Sequence, residues 1–166
     1  MTYVLPRLLE VVPGPSGADA FTGPPAGPPD KRAYGGHLAA QALAAACRTL
    51  TADVAPTSLH VQFLRGGDAG APVCYDVERV YDGRTSASRR ILARQQDRVL
   101  VTATASFATP ATGPDHSEGP GAATDPDELP RTGPAGPAPS LPLNEIDIRT
   151  EDDRSTSHFV RRLWWR

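Results

Sequence analysis

The run Tyr34-Gly35-Gly36-His37-Leu38-Ala39-Ala40-Gln41-Ala42-Leu43-Ala44-Ala45-Ala46-Cys47 decides how the chain folds. Alanine is the best helix former and leucine follows closely, so a helix is expected from about Gly36 to Leu50. Leu38, Ala39, Ala42, Leu43, Ala45, Ala46, Cys47 and Leu50 place small or apolar side chains round most of its circumference. That pattern predicts a helix buried on nearly all sides, with a sheet drawn close around it. The glycine pair has no side chains to block an approaching group, and the first N–H groups of a helix have no intrahelical partner. Gly35 and Gly36 are therefore candidates for polarising a carbonyl oxygen, with the positive helix end stabilising the charge that develops. Glycine chosen only for close packing is the competing reading, and the two are compatible.

Strand patterns follow the helix at once. Leu59, Val61 and Phe63 alternate with Ser58, His60 and Gln62, which predicts a strand whose apolar face is core. Val73, Tyr75 and Val77 repeat the pattern, with Asp76 and Glu78 on the solvated face. Asp82-Gly83 is a hairpin turn leading into a strand from Thr85 to Gln95. Val99, Val101, Ala103, Ala105 and Phe107 then alternate with Leu100, Thr102, Thr104 and Ser106. A helix followed by four antiparallel strands defines an α+β fold, an antiparallel sheet wrapped around a central helix. Before the helix, Tyr3–Val12 has the spacing of a short amphipathic helix through Val4, Leu8, Leu9 and Val12, and Asp19–Thr22 that of a short edge strand.

The rest of the chain is less regular. It has 166 residues with 39% apolar content, 18 prolines and 15 glycines, and nine of the prolines fall between Pro110 and Pro142. That composition marks a linker. After it, Ile146–Arg149 and Phe159–Arg166 read as two strands of a hairpin, which is marginal alone in water. Trp164 and Trp165 are adjacent, so in a strand they face opposite ways. The expected organisation is a first domain over residues 1–109, a linker over 110–143, and opening strands of an incomplete second unit over 144–166.

A net charge of −2 gives no global basic field, so nucleic acid is not an expected partner. The opening "MTYVLPRLLEVVPGP" is interrupted by Pro6, Arg7 and Glu10, which argues against a signal peptide or a membrane span. Cys47 and Cys74 lack the spacing of a zinc or redox motif and are expected to be reduced core thiols of a cytoplasmic protein. Sixteen of the seventeen cations are Arg, first a sign of a GC-rich genome. Locally, Arg84, Arg89, Arg90 and Arg94 form a candidate phosphate-binding cluster.

Four segments, "YGGHLAAQAL", "SLHVQFLRGGD", "YDVERVYDGRTSASRRI" and "VTATASFATP", together resemble the first repeat of the TesB-like acyl-CoA thioesterases (acyl-CoA thioesterase II), built from two hot-dog repeats. Gly66 departs from the family's usual Pro after "FLR". The resemblance implies a hot-dog fold and hydrolysis of fatty acyl-CoA to free fatty acid and CoA by direct attack of water. It implies no metal or redox cofactor, with coenzyme A entering only as part of the substrate. "IDIR" and "RLWWR" look like the first two strands of the second repeat. The family's water-activating Asp, Thr or Ser, and Gln lie further on in that repeat, beyond Arg166. A second hot-dog unit is thus the expected partner, from a homodimer or a separate chain. The alternative is a non-catalytic acyl-CoA-binding or structural half. A hot-dog enoyl-CoA hydratase would need a closely spaced Asp and His on a loop, and none precedes the Tyr34 helix.

On this reading Gly36 and His60 are the candidate catalytic residues, and Tyr34, Gly35, Gly36, His37, Arg89 and Arg90 the candidate substrate contacts; no metal ligands are expected. His60 has the competing role of a structural histidine bonded to a neighbouring strand, and His37 that of a hydrogen bond at the helix start. Ser86 and Ser88 lack a nucleophile elbow and read as strand residues. Asp68 reads as a turn residue accepting from backbone N–H groups.

Overall fold

A computed structural model of the chain describes Arg7 and residues 9–50, 53–114, 116, 124–131, 148–153 and 160–165. The chain divides into two compact units, Met1–Thr112 and Gly113–Arg166.

In the first unit the Ala-rich run forms α1 (Gly35–Cys47), with Tyr34 in extended conformation as its N-cap. His37, Leu38, Gln41, Ala42, Ala45 and Ala46 are its buried residues. Their spacing is a single helical stripe, held by a sheet that approaches closely because no side chain there except Leu38, His37 and Gln41 is larger than alanine. The expectation of burial on nearly all sides is corrected: Ala39, Ala40, Leu43 and Ala44 are only half-buried, and Gly36 and Cys47 are exposed. Cys47 is therefore a surface thiol, not a core one.

Six strands form the sheet: β1 (Val12–Pro13), β2 (Ala20–Gly23), β3 (Ala55–Phe63), β4 (Val73–Asp82), β5 (Ser86–Gln95) and β6 (Arg98–Ala108). Their order is β1-β2-β4-β5-β6-β3, with every pairing antiparallel. Phe21, Val73, Tyr75, Val77, Ala87, Ile91, Ala93, Val101, Ala103, Ala105 and Phe107 bury the helix side of the sheet. The opposite face is polar. There Arg90 pairs with Glu78 at 3.1 Å and Arg94 with Asp76 at 3.3 Å, cross-strand contacts that contribute about 0.2–1 kcal/mol each.

Three expectations change. Val12 and Pro13 form a strand rather than the end of a helix, and Val11 is buried (4% exposed) while Val12 is open (52%); most of the Tyr3–Val12 segment lies outside the described residues. Leu100 is buried at 1% exposure although strict alternation puts it on the outer face. The cause is a bulge: the register shifts between Ala93 and Arg94, which turns Leu100 inward beneath Gly67. Finally, of the Leu59–Phe63 face of β3 only Val61 packs against the core. This strand pairs only with β6, and Leu59 and Phe63 are 36% and 55% exposed, because no further strand covers it in this unit.

The second unit contains β7 (Ile148–Asp153) paired antiparallel with β8 (Val160–Trp165). The hairpin forms, with β7 extending four residues past the expected end at Arg149, to Asp153; Phe159 lies outside the described residues. Part of the proline-rich stretch is built into this unit. A 3₁₀ turn at Pro126–Glu128 is capped by Asp125, and Arg149 donates to the carbonyls of Pro126 and Leu129 at 3.3 and 2.5 Å. Among the described residues no helix is long and apolar enough to cross a membrane.

Candidate active site

The amino end of α1 is where chemistry is available. The Tyr34 carbonyl accepts from the N–H groups of His37 (3.1 Å) and Leu38 (3.3 Å), leaving the Gly35 and Gly36 N–H groups without a partner among the described residues. The first helical turn contains no acidic residue to compete for them. Two exposed aromatic rings flank the pair. A Cβ on Gly35 would meet Phe63 Cε1 at 3.0 Å, and one on Gly36 would meet Tyr34 Cε1 at 2.6 Å. The glycines let these rings lie close, and together the four residues set two N–H donors beside two apolar rings in an open slot. An anionic oxygen placed there would gain from both donors and from the helix dipole.

His37 is turned away from the slot. It is 5% exposed, and its Nε2 lies 3.4 Å from the Pro24 carbonyl oxygen, which also accepts from Gln41 Nε2 at 3.1 Å. Burial holds its proton affinity below the ordinary value and favours the neutral ring, which in this unit is held at the Pro24 carbonyl. Behind it the Tyr75 hydroxyl donates to Gln41 Oε1 at 2.7 Å, and burial pushes that hydroxyl's pKa upward, keeping it protonated.

His60 does not join the site either. It pairs with Thr104 on the outer face of the sheet, whereas Phe63, on the helix side of the same strand, reaches Gly35. Within this unit the two candidate catalytic residues, Gly36 and His60, lie on opposite faces of the sheet.

The arginine cluster is likewise corrected. Arg89 is 1% exposed; it donates to Thr49 Oγ1 (2.7 Å) and to the carbonyls of Thr49, Tyr81 and Ser88, and pairs with Asp82 at 2.5 Å. Arg90 and Arg94 are held by carboxylates on the outer face, and Arg84 lines a cavity with Thr49 and Leu50 at the other end of α1. None of the four is at the glycines. Asp68 behaves as a turn residue, its Oδ1 accepting from the N–H groups of Asp30 (3.1 Å) and Gly70 (2.9 Å).

A central helix held by an antiparallel sheet, with an open glycine-marked amino end, defines a hot-dog fold protein. A structure from Alicyclobacillus acidocaldarius described as having the hot-dog fold superposes with a TM-score of 0.76 at 22% identity, over 91% of this chain and 56% of that one. Residues 22–108 match the family model for the acyl-CoA thioesterase N-terminal domain, and the chain belongs to that family. Human acyl-coenzyme A thioesterase 8 is 39% identical over 93 residues, 56% of this chain and 29% of the human protein. Acyl-CoA thioesterase II TesB2 of Mycobacterium marinum is 30% identical with a TM-score of 0.76, over 96% of this chain and 59% of that structure. The chain thus spans less than two thirds of the length of each of these relatives.

Proposed function

We propose that this chain supplies the carbonyl-polarising half of an acyl-CoA thioesterase, which hydrolyses fatty acyl-CoA to a free fatty acid and CoA. The observation that carries the reading is the pair of unpartnered N–H groups at Gly35 and Gly36, held between Tyr34 and Phe63 in a chain of this family. A water oxygen attacks the thioester carbon, and the carbonyl oxygen becomes an anion held by the two N–H groups and the helix end. Collapse of the adduct breaks the C–S bond, and the thiolate leaves with a proton. No electrons are gained or lost overall, so the reaction calls for no redox cofactor, and coenzyme A enters only with the substrate.

The water must also be oriented and lose its proton, and neither His37 nor His60 faces the slot. We assign that role to a second hot-dog unit seated along β3, where Leu59, Phe63 and Leu64 stand exposed. The hairpin of β7 and β8, in a compact unit of its own, is in this reading the opening of a second repeat. Neither nucleic acid nor membrane takes part, and the free thiols of Cys47 and Cys74 favour a cytoplasmic setting.

The test is release of CoA from a medium-chain acyl-CoA, followed with a thiol reagent, for the purified chain alone and with a complete second hot-dog unit added. Turnover is expected when the second unit is present. Acyl-CoA that is neither bound nor cleaved in either mixture overturns the reading.

A further inference from the structure

The slot at Gly35 and Gly36 takes its two sides from distant parts of the chain: Phe63 ends β3, and Tyr34 ends the segment that enters α1. The loop that follows β3 joins them. At its start the Leu64 and Arg65 N–H groups donate to the Leu100 carbonyl of β6, at 2.8 and 3.1 Å. Further on it runs antiparallel to the entering segment. Ala33 N–H donates to the Gly67 carbonyl at 2.8 Å and Ala69 N–H to the Lys31 carbonyl at 2.7 Å, about a bridge between Arg32 and Asp68. The Ala69 carbonyl also accepts from the Ala26 and Gly27 N–H groups, at 3.0 and 3.1 Å, and Asp68 Oδ1 from that of Asp30 at 3.1 Å. The approach to the helix is thus laid along this loop from Ala26 to Ala33.

Where the flanking residues make the bonds of an antiparallel pair, the bridged residues turn their own N–H and C=O groups away from each other. Those of Asp68 therefore face away from the helix approach, and the Gln95 side chain takes both. Its Oε1 accepts from Asp68 N–H at 2.8 Å, and its Nε2 donates to the Asp68 carbonyl at 2.8 Å and to the Ala71 carbonyl at 3.0 Å. A side-chain amide carries donors and an acceptor as a peptide group does, so Gln95 stands in for a third strand. It is anchored at the end of β5, where it pairs with Arg98 across the turn into β6. Gly67 permits the approach, since a Cβ there would meet Leu100 Cδ1 at 2.6 Å and Gln95 Oε1 at 3.0 Å. The sheet is thereby tied to the loop and the loop to Ala33, which stands just before Tyr34 and the glycine pair.

We propose that Gln95 is a positioning residue for the slot, its amide fixing the loop that holds the amino end of α1 and so the aim of the Gly35 and Gly36 N–H groups. It acts through Asp68, Gly67 and Ala33 rather than by contact with substrate. The inference rests on the acyl-CoA reading and adds to it the group that keeps the two donors in place. Donors stabilise a developing oxyanion only where they already point at it, and a misplacement of about 1 Å caused far from the chemistry can cost about 100-fold in rate. Glutamine suits the task because glutamate would set a carboxylate against the Asp68 and Ala71 carbonyls, and leucine would leave all three backbone groups without the clamp.

The test compares the parent with Gln95→Leu and with Gln95→Glu, which keeps the acceptor for Asp68 N–H but offers the two carbonyls no donor at neutral pH. In nitrogen-15 spectra of the chain, the Gly35 and Gly36 amide signals should shift in both variants, while that of Gly83, beside the other end of α1, stays in place. Amide exchange at Ala33 and Ala69 should quicken, and the far-UV circular dichroism should match the parent. With a second hot-dog unit and a medium-chain acyl-CoA, kcat should fall by about 10- to 100-fold at an unchanged KM, because the weakened interaction is made only in the transition state. Unmoved glycine signals, a parent-like kcat or a rise in KM alone overturns the proposal, as does loss of the far-UV signal in both variants. Glycine signals that shift in a chain whose parent cleaves no acyl-CoA with a second unit present keep the clamp and overturn only the hydrolytic reading.

Discussion

At the scale of single residues, the glycine pair carries both packing and chemistry, and the contacts separate the two. The atom that a Cβ on Gly36 would strike is the edge of the Tyr34 ring, which is 46% exposed and free to swing outward. Gly36→Val is therefore expected to keep the far-UV circular dichroism of the parent while cutting acyl-CoA hydrolysis by about 100-fold, the scale of losing one oxyanion donor. Loss of the helical signal instead would make the glycine a packing residue alone. His37 gives a second residue-scale outcome. Its folded proton affinity is lowered by burial from an ordinary value of 6.5, so the unfolded chain binds the proton more readily. Stability contributed by neutral His37 is intact above that value and is lost as pH falls below it, by at most about 1.4 kcal/mol per pH unit. Urea midpoints measured at pH 7.5 and 5.5 should fall with pH in the parent and fall less in His37→Gln; equal slopes would refute the assignment.

At the scale of elements, Arg89 joins three of them. Its guanidinium binds Thr49 just beyond the end of α1, the Tyr81 carbonyl and Asp82 of β4, and the Ser88 carbonyl of β5. Removing it leaves buried carbonyls unsatisfied and Asp82 without its partner. Arg89→Ala should cost about 1–3 kcal/mol in urea unfolding, and Arg89→Lys should recover only part of it because an ammonium cannot span the same acceptors. A loss under about 1 kcal/mol would mean water replaces those bonds. This arginine also shows where the sequence stops being readable. The helix, the four long strands and the Asp82-Gly83 turn are local patterns of period 3.6 and 2, and they can be read from the residues alone. Arg89 and Arg90 are adjacent and chemically identical, and only the pleat, together with the bulge between Arg79 and Tyr81, sends one inward and the other to solvent. The same holds for Leu100 at its bulge. It holds as well for Phe63, whose alternation looks like core until the register makes β3 an edge. The glycine pair was legible because its signal, small residues directly before a helix, is local.

At the scale of the whole molecule, β3 is the feature that asks for a partner. It is nine residues long, paired on one side only, and carries Leu59, Phe63 and Leu64 in the open. Long exposed edges with apolar side chains pair with other chains unless charge or proline blunts them, and the only proline here, Pro56, sits near the start of the strand. The half-buried stripe Ala39, Ala40, Leu43 and Ala44 of α1 is available for the same contact, so the partner would cover a helix flank and a strand edge together. At tens of micromolar, the chain is expected to sediment as a dimer. Leu59→Lys puts a charge on the helix side of the edge, far from the core residues of β4 and β5, and should give a monomer. Because Leu59 is already 36% exposed, the variant's thermal unfolding at concentrations too low for association should stay within about 0.5 kcal/mol of the parent. If both proteins sediment as monomers, the unit seated on β3 is not a second copy of this chain and must be supplied by other sequence. If both are dimers, association runs through a different face, and the slot at Gly35 and Gly36 would be completed without β3.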